Sequence, residues 1–187
     1  MDQIMEQIPE IIRQNLTLVV VVILLAGYLI FQKNKPVQLP INKEKYANFV
    51  TNKGLLPDGK YIIRGGRNQR YCTDDPNGII CNIDAPGPRE IFIVQHMKGE
   101  EYAIQGQRGN LWCGLTSTGV RCQAPTVRNL EVFKLHPLGN NMFGVQNVKN
   151  GKWCGDTGPG MVCDTPSMDS LGFQKFEFIP IRYNNIR

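Results

Sequence analysis

Six cysteines are the residues of this chain whose type and spacing most clearly permit chemistry. They form three pairs with eight residues between the members of each: Cys72 and Cys81, Cys113 and Cys122, Cys154 and Cys163. Thiols can form disulfides, ligate zinc or remain free. Structural zinc sites use cysteines two to four residues apart, so the wider spacing disfavours a metal site. The spacing favours three disulfides, with free buried thiols as the alternative.

Other reactive residues do not gather into a catalytic pattern. The two histidines, His96 and His136, fall at nearly equivalent positions of the repeat described below, so they belong to different units. Asp74 and Asp75 in "TDDPNG" could bind calcium, although a solvated turn is the simpler interpretation. The run "RGGRNQR", residues 64–70, is similar to an RNA-binding Gly-Arg tract but is more typical of a loop. The sequence therefore predicts no catalytic residue, no metal ligand and no cofactor.

The cysteine pairs belong to a repeat with a period of 41 residues. An aromatic residue opens each unit, another precedes the first cysteine, and a glycine lies between the two cysteines. When the three units are aligned, each of these positions forms a repeat column. The opening aromatics are Tyr61, Tyr102 and Phe143, the aromatics before the first cysteine are Tyr71, Trp112 and Trp153, and the glycines are Gly78, Gly119 and Gly160. Each unit also closes on a phenylalanine, at Phe92, Phe133 and Phe176, the last one late because the third unit is longer. Such regularity indicates three structurally equivalent units.

Each unit has the composition of β-structure. Short runs such as "YIIR", "GIIC" and "EIFIV" are separated by Gly, Pro, Asn and Asp clusters, with no helical period between them. A unit of this length has room for four short strands and their turns. Propellers normally need four or more blades, whereas three four-stranded units can close on themselves without exposed sheet edges. The sequence therefore predicts an all-β fold, a β-trefoil of three repeats.

The cysteines are expected to fasten a hairpin within each unit. One cysteine ends a strand, the glycine supplies a turn with positive φ, and the second cysteine begins the next strand. Facing positions of a hairpin place the two Cα atoms about 5.5 Å apart, which suits a disulfide. Since successive side chains of a strand point to opposite faces, the aromatic residue before each first cysteine is expected to point into the shared core.

The three units resemble β-trefoils of the fascin-like and ricin-B-like superfamily. The resemblance rests on "KYIIRGGRNQRYC", "EYAIQGQRGNLWC" and "MFGVQNVKNGKWC" with their paired "GIIC", "GVRC" and "GMVC", and it covers roughly residues 58–181. Ricin-type lobes close on Gln-x-Trp, whereas these close on Phe-Ile-Val, Phe-Lys-Leu and Phe-Glu-Phe. The resemblance thus implies the trefoil fold without the lectin signature, and the fold by itself implies no function.

A membrane anchor is predicted ahead of the repeats. Residues 16–31, "LTLVVVVILLAGYLIF", carry no charge and follow a short N-terminal segment, residues 1–15. As a helix this run covers roughly 24 Å, and the flanking Arg13 and Lys33 can reach the headgroups. A buried core helix would have a polar face, and a signal peptide would have basic residues before the apolar run. Neither pattern is present, so the sequence favours a single transmembrane helix over residues 16–31.

A basic stalk follows, over residues 32–57, and contains Pro36 and Pro40. Its net charge is +4, against −2 for residues 1–31. This excess of basic residues after the apolar run predicts that the part of the chain following the anchor faces the cytoplasm. Four lysines are expected to contact anionic lipid: Lys33, Lys35, Lys43 and Lys45. The trefoil is expected over residues 58–181, with lobes at about 58–99, 100–140 and 141–181, and a tail over 182–187.

Cytoplasmic sidedness and six paired cysteines conflict, because disulfides belong to oxidising compartments. Large double-stranded DNA viruses assemble around an internal membrane in the cytoplasm and encode thiol oxidases. The chain resembles a minor capsid or membrane protein of such a virus. The resemblance implies a location in the internal membrane of the virion, with the trefoil on the capsid-facing side and virion proteins as partners.

The leading hypothesis from sequence is therefore a non-enzymatic, membrane-anchored structural protein of a virion, linking the internal membrane to the capsid shell. The alternative is a surface recognition module that binds a glycan or a host receptor, and a cellular membrane protein is the third possibility. The repeat region, residues 58–187, carries a net charge of only +3, so no nucleic-acid partner is expected.

Overall fold

The computed structural model describes residues 24–25, 54–168 and 172–181. Leu24 and Leu25 are helical and exposed. The other described residues form twelve strands: β1 (Gly59–Arg64), β2 (Tyr71–Asp75), β3 (Gly78–Ile83), β4 (Ile91–Lys98), β5 (Glu101–Gly106), β6 (Trp112–Thr116), β7 (Gly119–Ala124), β8 (Val132–Gly139), β9 (Met142–Asn147), β10 (Trp153–Asp156), β11 (Met161–Thr165) and β12 (Lys175–Pro180). Short 3-10 helices, Pro88–Glu90 and Asn129–Glu131, precede β4 and β8.

Six strands close into an antiparallel barrel. Strand β1 pairs with β12 and β4, β5 pairs with β4 and β8, and β9 pairs with β8 and β12, so the ring is complete. Closure leaves no free edge in this ring. Strands β1–β4, β5–β8 and β9–β12 are called lobe 1, lobe 2 and lobe 3 below. The predicted β-trefoil is confirmed.

Three hairpins, β2–β3, β6–β7 and β10–β11, cap one end of the barrel and contact one another. The glycine of each hairpin has positive φ: +142° at Gly78, +133° at Gly119 and +158° at Gly160. A Cβ on these glycines would lie 3.0, 2.8 and 3.4 Å from the carbonyl oxygens of Val120, Met161 and Ile79, in that order. Each hairpin thus touches the backbone of the next, which closes the cap around a pseudo-threefold axis.

The core follows the repeat columns. The aromatic residues that open and close the units are all buried: Tyr61, Tyr102, Phe143, Phe92, Phe133 and Phe176. The segment before β1 packs on them, because the N–H of Leu56 donates to Tyr102 Oη at 2.8 Å and Tyr61 Oη donates to the Pro57 carbonyl at 2.6 Å. Burial of this kind supplies most of the stabilisation of such a domain.

Each lobe carries the disulfide that its sequence predicts. The bonds join Cys72 to Cys81, Cys113 to Cys122 and Cys154 to Cys163, with Cα–Cα distances of 3.7, 3.6 and 3.7 Å. The Cα atoms are closer than the expected 5.5 Å. The expectation for the neighbouring aromatics was wrong, because the cysteines face the core and the aromatic residues before them are only half-buried.

The predicted N-terminal regions lie almost wholly outside the described residues. Only Leu24 and Leu25 of the predicted transmembrane helix, residues 16–31, are described, and so is only the end of the stalk, from residue 54. The four lysines assigned to lipid contact lie outside as well: Lys33, Lys35, Lys43 and Lys45. In the described part of the chain, no helix has the length and apolar character that crossing a membrane requires.

Candidate functional site

The two histidines are not brought together into one site. The ring Nε2 of His96 lies 2.8 Å from the Gly99 carbonyl oxygen, in the turn that follows its own strand. His136 Nε2 lies 3.2 Å from Gln146 Oε1, and Nδ1 lies 3.4 Å from a Glu100 carboxylate oxygen. The two rings therefore lie at different places in the fold, as their near-equivalent repeat positions predict, and His136 reaches lobe 3 through Gln146.

Asp74 is not the solvated turn residue that the sequence suggested. It lies in β2, is 1% exposed, and its Oδ2 accepts a hydrogen bond at 3.0 Å from the backbone N–H of Arg108 in lobe 2. Its Oδ1 lies 3.7 Å from Arg108 Nε. Burial raises the pKa of this carboxyl, although the contacts with Arg108 oppose the shift. Asp74 therefore joins lobe 1 to lobe 2.

Gly106 makes this contact possible. A Cβ on Gly106 would lie 2.7 Å from Asp74 Cγ and 2.9 Å from Cys122 Sγ, so only a residue without a side chain leaves room for the carboxylate. Asp156 and Gly65 repeat the arrangement between lobe 3 and lobe 1. Asp156 is 2% exposed, its Oδ2 accepts from the Arg67 N–H at 3.3 Å, and burial raises its pKa.

The junction between lobe 2 and lobe 3 is built differently. At the positions equivalent to the aspartate and the glycine stand Leu115 and Asn147. Asn147 is fully buried, and its Oδ1 accepts the backbone N–H of Lys149 at 3.0 Å. Lys149 stands at the loop position that Arg67 and Arg108 occupy in the other two lobes. The amide of Asn147 thus replaces the carboxylate of a neighbouring lobe. Lobe 2 is left without a buried aspartate in its hairpin.

A polar cavity of about 160 Å³ opens in lobe 2 where that aspartate is missing. It lies between the β6–β7 hairpin and the 3-10 helix Asn129–Glu131. Eight residues line it: Gly114, Leu115, Thr116, Arg121, Gln123, Ala124, Leu130 and Glu131. The lining combines one guanidinium, one carboxylate, an amide, a hydroxyl and apolar side chains. This cavity, the lobe 2 pocket, is the candidate functional site.

Gly114 shapes the lobe 2 pocket. It faces Arg121 across the hairpin, and a Cβ at this position would lie 2.6 Å from Glu131 Oε1. The carboxylate of Glu131 therefore lies over the glycine. Its other oxygen, Oε2, accepts the backbone N–H of Arg128 at 2.8 Å, which fixes the side chain at the base of the 3-10 helix.

Arg121 contributes a charge that no described residue balances. Its Nε is buried and has no hydrogen-bond partner, and its guanidinium makes no ion pair with any residue in the described part of the chain. Thr116, by contrast, is held in place, since its Oγ1 donates to the Gly119 carbonyl at 2.7 Å. Leu130 lies at the rim of the pocket and is 40% exposed.

The other lobes do not reproduce this combination. Ile80 in lobe 1 and Val162 in lobe 3 stand at the position of Arg121, and Thr73 replaces Gly114 in lobe 1. The position of Glu131 is kept as Glu90 in lobe 1, where Oε2 accepts the Gly87 N–H at 2.6 Å, and as Gln174 in lobe 3. The carboxylate is thus shared by lobes 1 and 2, whereas the guanidinium is present in lobe 2 alone.

Sequence reasoning identified no residue of this pocket. The signal that could have revealed it is the departure of lobe 2 from the repeat columns, at Leu115 and Arg121. The repeat pattern describes what the three units share, whereas the pocket depends on positions at which lobe 2 differs from the other two.

No protein-family model and no curated protein sequence matches the chain. Solved structures do match it. ThreeFoil, a designed threefold-symmetric protein, has a TM-score of 0.58 at 9% identity, over 66% of this chain and all of that one. A Polyporus squamosus lectin bound to the glycan Neu5Aca2-6Galb1-4GlcNAc has a TM-score of 0.58 at 14% identity, over 66% and 49%. SeviL bound to asialo-GM1 saccharide has a TM-score of 0.55 at 13% identity, over 67% and 100%.

The likeness is one of fold. At identities of 9 to 14% it extends to the trefoil and not to the residues of any one site. Two of these three neighbours were solved with a saccharide bound.

Proposed function

We propose that the chain is a non-enzymatic recognition module that binds a glycan residue in the lobe 2 pocket. The observation that carries the proposal is the composition of the pocket, where Arg121, Gln123 and Glu131 surround a small cavity with Leu130 at its rim. A sugar presents hydroxyls that both donate and accept, together with apolar C–H faces. Such a ligand needs both kinds of hydrogen-bonding group and an apolar contact, all of which this lining supplies.

The size of the pocket supports a single sugar ring. Its volume of about 160 Å³ corresponds to roughly five water molecules at their share of liquid volume. Pockets for drug-sized ligands begin at about 300 Å³, so a larger ligand would extend beyond it. A terminal sugar of a glycan, with the rest of the chain in solvent, fits these dimensions. The saccharides held by two fold neighbours favour the same class of ligand.

Glu131→Gln tests the proposal. The variant removes the charge of the acceptor that faces the pocket, and we expect it to weaken glycan binding about 10-fold, as befits the loss of a charge-assisted hydrogen bond. Binding is measured by titration calorimetry on the oxidised chain, with a ligand first found on a glycan array. The glutamine is compatible with the repeat, because Gln174 stands at this position in lobe 3.

Glu90→Gln is the matched control. Glu90 makes the same backbone contact in lobe 1, at 2.6 Å to the Gly87 nitrogen, so both variants carry the same structural cost. Only Glu131→Gln should weaken binding. An array on which no glycan binds, or equal affinities for the two variants, would overturn the proposal.

A second candidate is the structural protein of a virion that the sequence first indicated. It is favoured by the uncharged residues 16–31 next to a lysine-rich segment, and by the lack of any Asn-x-Ser/Thr sequon in residues 32–187. A glycosylated ectodomain would normally carry such sequons. Protease protection in sealed vesicles separates the candidates: a trefoil on the cytoplasmic side supports the structural role, and an exposed ectodomain absent from particles refutes it.

A further inference from the structure

Arg121 has no side-chain partner, unlike three other arginines of the described domain. Arg64 lies 3.0 Å from a Glu177 carboxylate oxygen, and Arg108 lies 3.7 Å from Asp74. Arg67 donates to the Thr157 carbonyl at 2.6 Å. Arg121 is half-buried in the lobe 2 pocket, its Nε is fully enclosed, and no described residue accepts from it or pairs with it.

An unpaired guanidinium with a buried nitrogen is costly, because water cannot reach the donor and nothing in the protein replaces it. Glu131 shares the pocket but does not neutralise the charge, since the two side chains form no ion pair within 4.0 Å. Its Oε2 is already engaged by the Arg128 N–H at 2.8 Å. The terminal nitrogens of Arg121, unlike Nε, are not enclosed, and no described residue accepts from them. The pocket therefore offers these positive, directional donors to whatever enters it.

We propose that the lobe 2 pocket selects a sugar that carries one negative charge, a carboxylate or a sulfate, with Arg121 as the residue that determines this specificity. This inference rests on the proposed function. A guanidinium matches a carboxylate or sulfate with two parallel N–H···O bonds, which no neutral sugar can supply. Glu131 and Gln123 then serve the uncharged hydroxyls of the same ring. Ile80 and Val162 at the Arg121 position confine the preference to lobe 2.

The test compares matched pairs of probes on the full chain in detergent, with all three disulfides formed. Methyl glucuronide is compared with methyl glucoside, and methyl galactoside 6-sulfate with methyl galactoside, so the two arms distinguish a carboxylate from a sulfate. At least one charged probe is expected to bind about 10- to 100-fold more tightly than its neutral partner, a range set by charge-assisted hydrogen bonds. The preference should decline as salt is raised, because the ligand charge lies at a pocket open to solvent.

Substitutions assign the preference to one side chain. Arg121→Gln should reduce the affinity ratio of charged to neutral probe to about 1, and Arg121→Lys, which keeps the charge but loses the planar fork, should give an intermediate ratio. Arg89→Gln removes the same charge at an exposed position of lobe 1 and should leave the ratio unchanged. Melting temperatures of all variants check that each is folded.

The outcomes separate this inference from the proposed function. Neutral probes that bind as tightly as charged ones, in a manner sensitive to Glu131→Gln, overturn the charge preference and leave glycan recognition in place. An unchanged ratio in Arg121→Gln also overturns it. Failure of every probe, charged and neutral, overturns the charge preference, whereas the proposed function is overturned by the glycan array.

Discussion

The junction of lobes 1 and 2 and the junction of lobes 2 and 3 fill the same space in two different ways. At the first, Asp74 crosses from lobe 1 and occupies the volume that a side chain on Gly106 would take. At the second, Asn147 stands at the position of Gly106, and its own side chain fills the equivalent volume. Leu115 stands at the position of the aspartate. In both junctions the side-chain oxygen accepts a backbone N–H at 3.0 Å from the same loop position. Asp74 accepts from Arg108, and Asn147 accepts from Lys149.

Across the three junctions of this chain, the residue at the aspartate position and the residue that faces it differ together. An aspartate requires a glycine across the junction, and an asparagine requires that the aspartate be absent. With Asn147 in place of the carboxylate, lobe 2 carries Leu115 instead of an aspartate, and the same hairpin lines the lobe 2 pocket.

Exchanging one junction for the other should give the largest effect. Gly106→Asn alone places a side chain on Asp74, and we expect a loss of about 3 kcal/mol in the free energy of unfolding, the upper range for overpacking. The double variant Asp74→Leu/Gly106→Asn reproduces the Leu115–Asn147 solution and should recover at least half of that loss. Denaturant unfolding of the two single variants and the double variant measures the coupling.

Gly109→Asn is the control for this cycle. Gly109 is exposed in the loop between β5 and β6, and a Cβ there meets only Leu111, at 3.4 Å. Its effect should stay within about 0.5 kcal/mol. Additive energies for Asp74→Leu and Gly106→Asn would show that the two positions are independent and would remove the basis of the comparison.

Removing a disulfide should cost nearly as much, and it tests whether the lobes are equal away from their junctions. Each bond closes a hairpin with a sequence separation of 9. The chain-entropy estimate for such a loop is ~2.7 kcal/mol. We expect Cys72→Ala/Cys81→Ala and Cys113→Ala/Cys122→Ala to lower the unfolding free energy by similar amounts. Costs that differ by more than about 1 kcal/mol would mean that the hairpins themselves are not equivalent.

The pH dependence of stability should separate the two junctions by a smaller amount. Burial raises the pKa of Asp74 above its ordinary value of 3.8, so the folded state favours the protonated carboxyl. The resulting stabilisation is fully present below about pH 3.8 and is lost as the pH rises through the folded-state pKa. The Leu115–Asn147 junction has no titrating group in this place.

The difference between wild type and Asp74→Leu/Gly106→Asn isolates this contribution, because every other carboxyl is common to both. The unfolding free energy of wild type, relative to the double variant, should therefore fall as the pH is raised from 4 towards 7. A relative stability that is constant over this interval would contradict the raised pKa of Asp74.

Side-chain contacts at the junction rims should have the smallest effect. Arg67 Nη1 donates to the Thr157 carbonyl at 2.6 Å, and the guanidinium lies 5.9 Å from the centre of the Phe173 ring. We expect Arg67→Ala to cost about 0.5–1 kcal/mol, as for an exposed hydrogen bond. Lys149, at the same loop position in lobe 3, is exposed, so Lys149→Ala should be neutral. Equal thermal shifts for the two variants would argue against a specific role for Arg67.

Local features of the fold were predictable because they depend on residues close in sequence. The period of 41 residues gave the number of lobes, and the alternation within each unit gave strands. The cysteine pairs were predictable since a hairpin brings residues nine positions apart to face each other. The face to which each side chain points was not predictable, because alternation along a strand does not specify which face is inside. The aromatic residues before the cysteines were expected in the core, and the disulfides lie there instead.

The amino-acid sequence by itself determined three β lobes, their closure and their disulfides, because a repeated pattern of apolar residues, turn residues and hairpin cysteines has few compatible structures. Only the tertiary structure decided what the departures from that pattern mean. Asp74 meets Arg108 across 34 positions and Asp156 meets Arg67 across 89, so neither contact exists until the ring closes. The lobe 2 pocket has the same origin: Glu131 reaches Gly114 only when the 3-10 helix packs on the hairpin, and that packing places an unpaired Arg121 beside it.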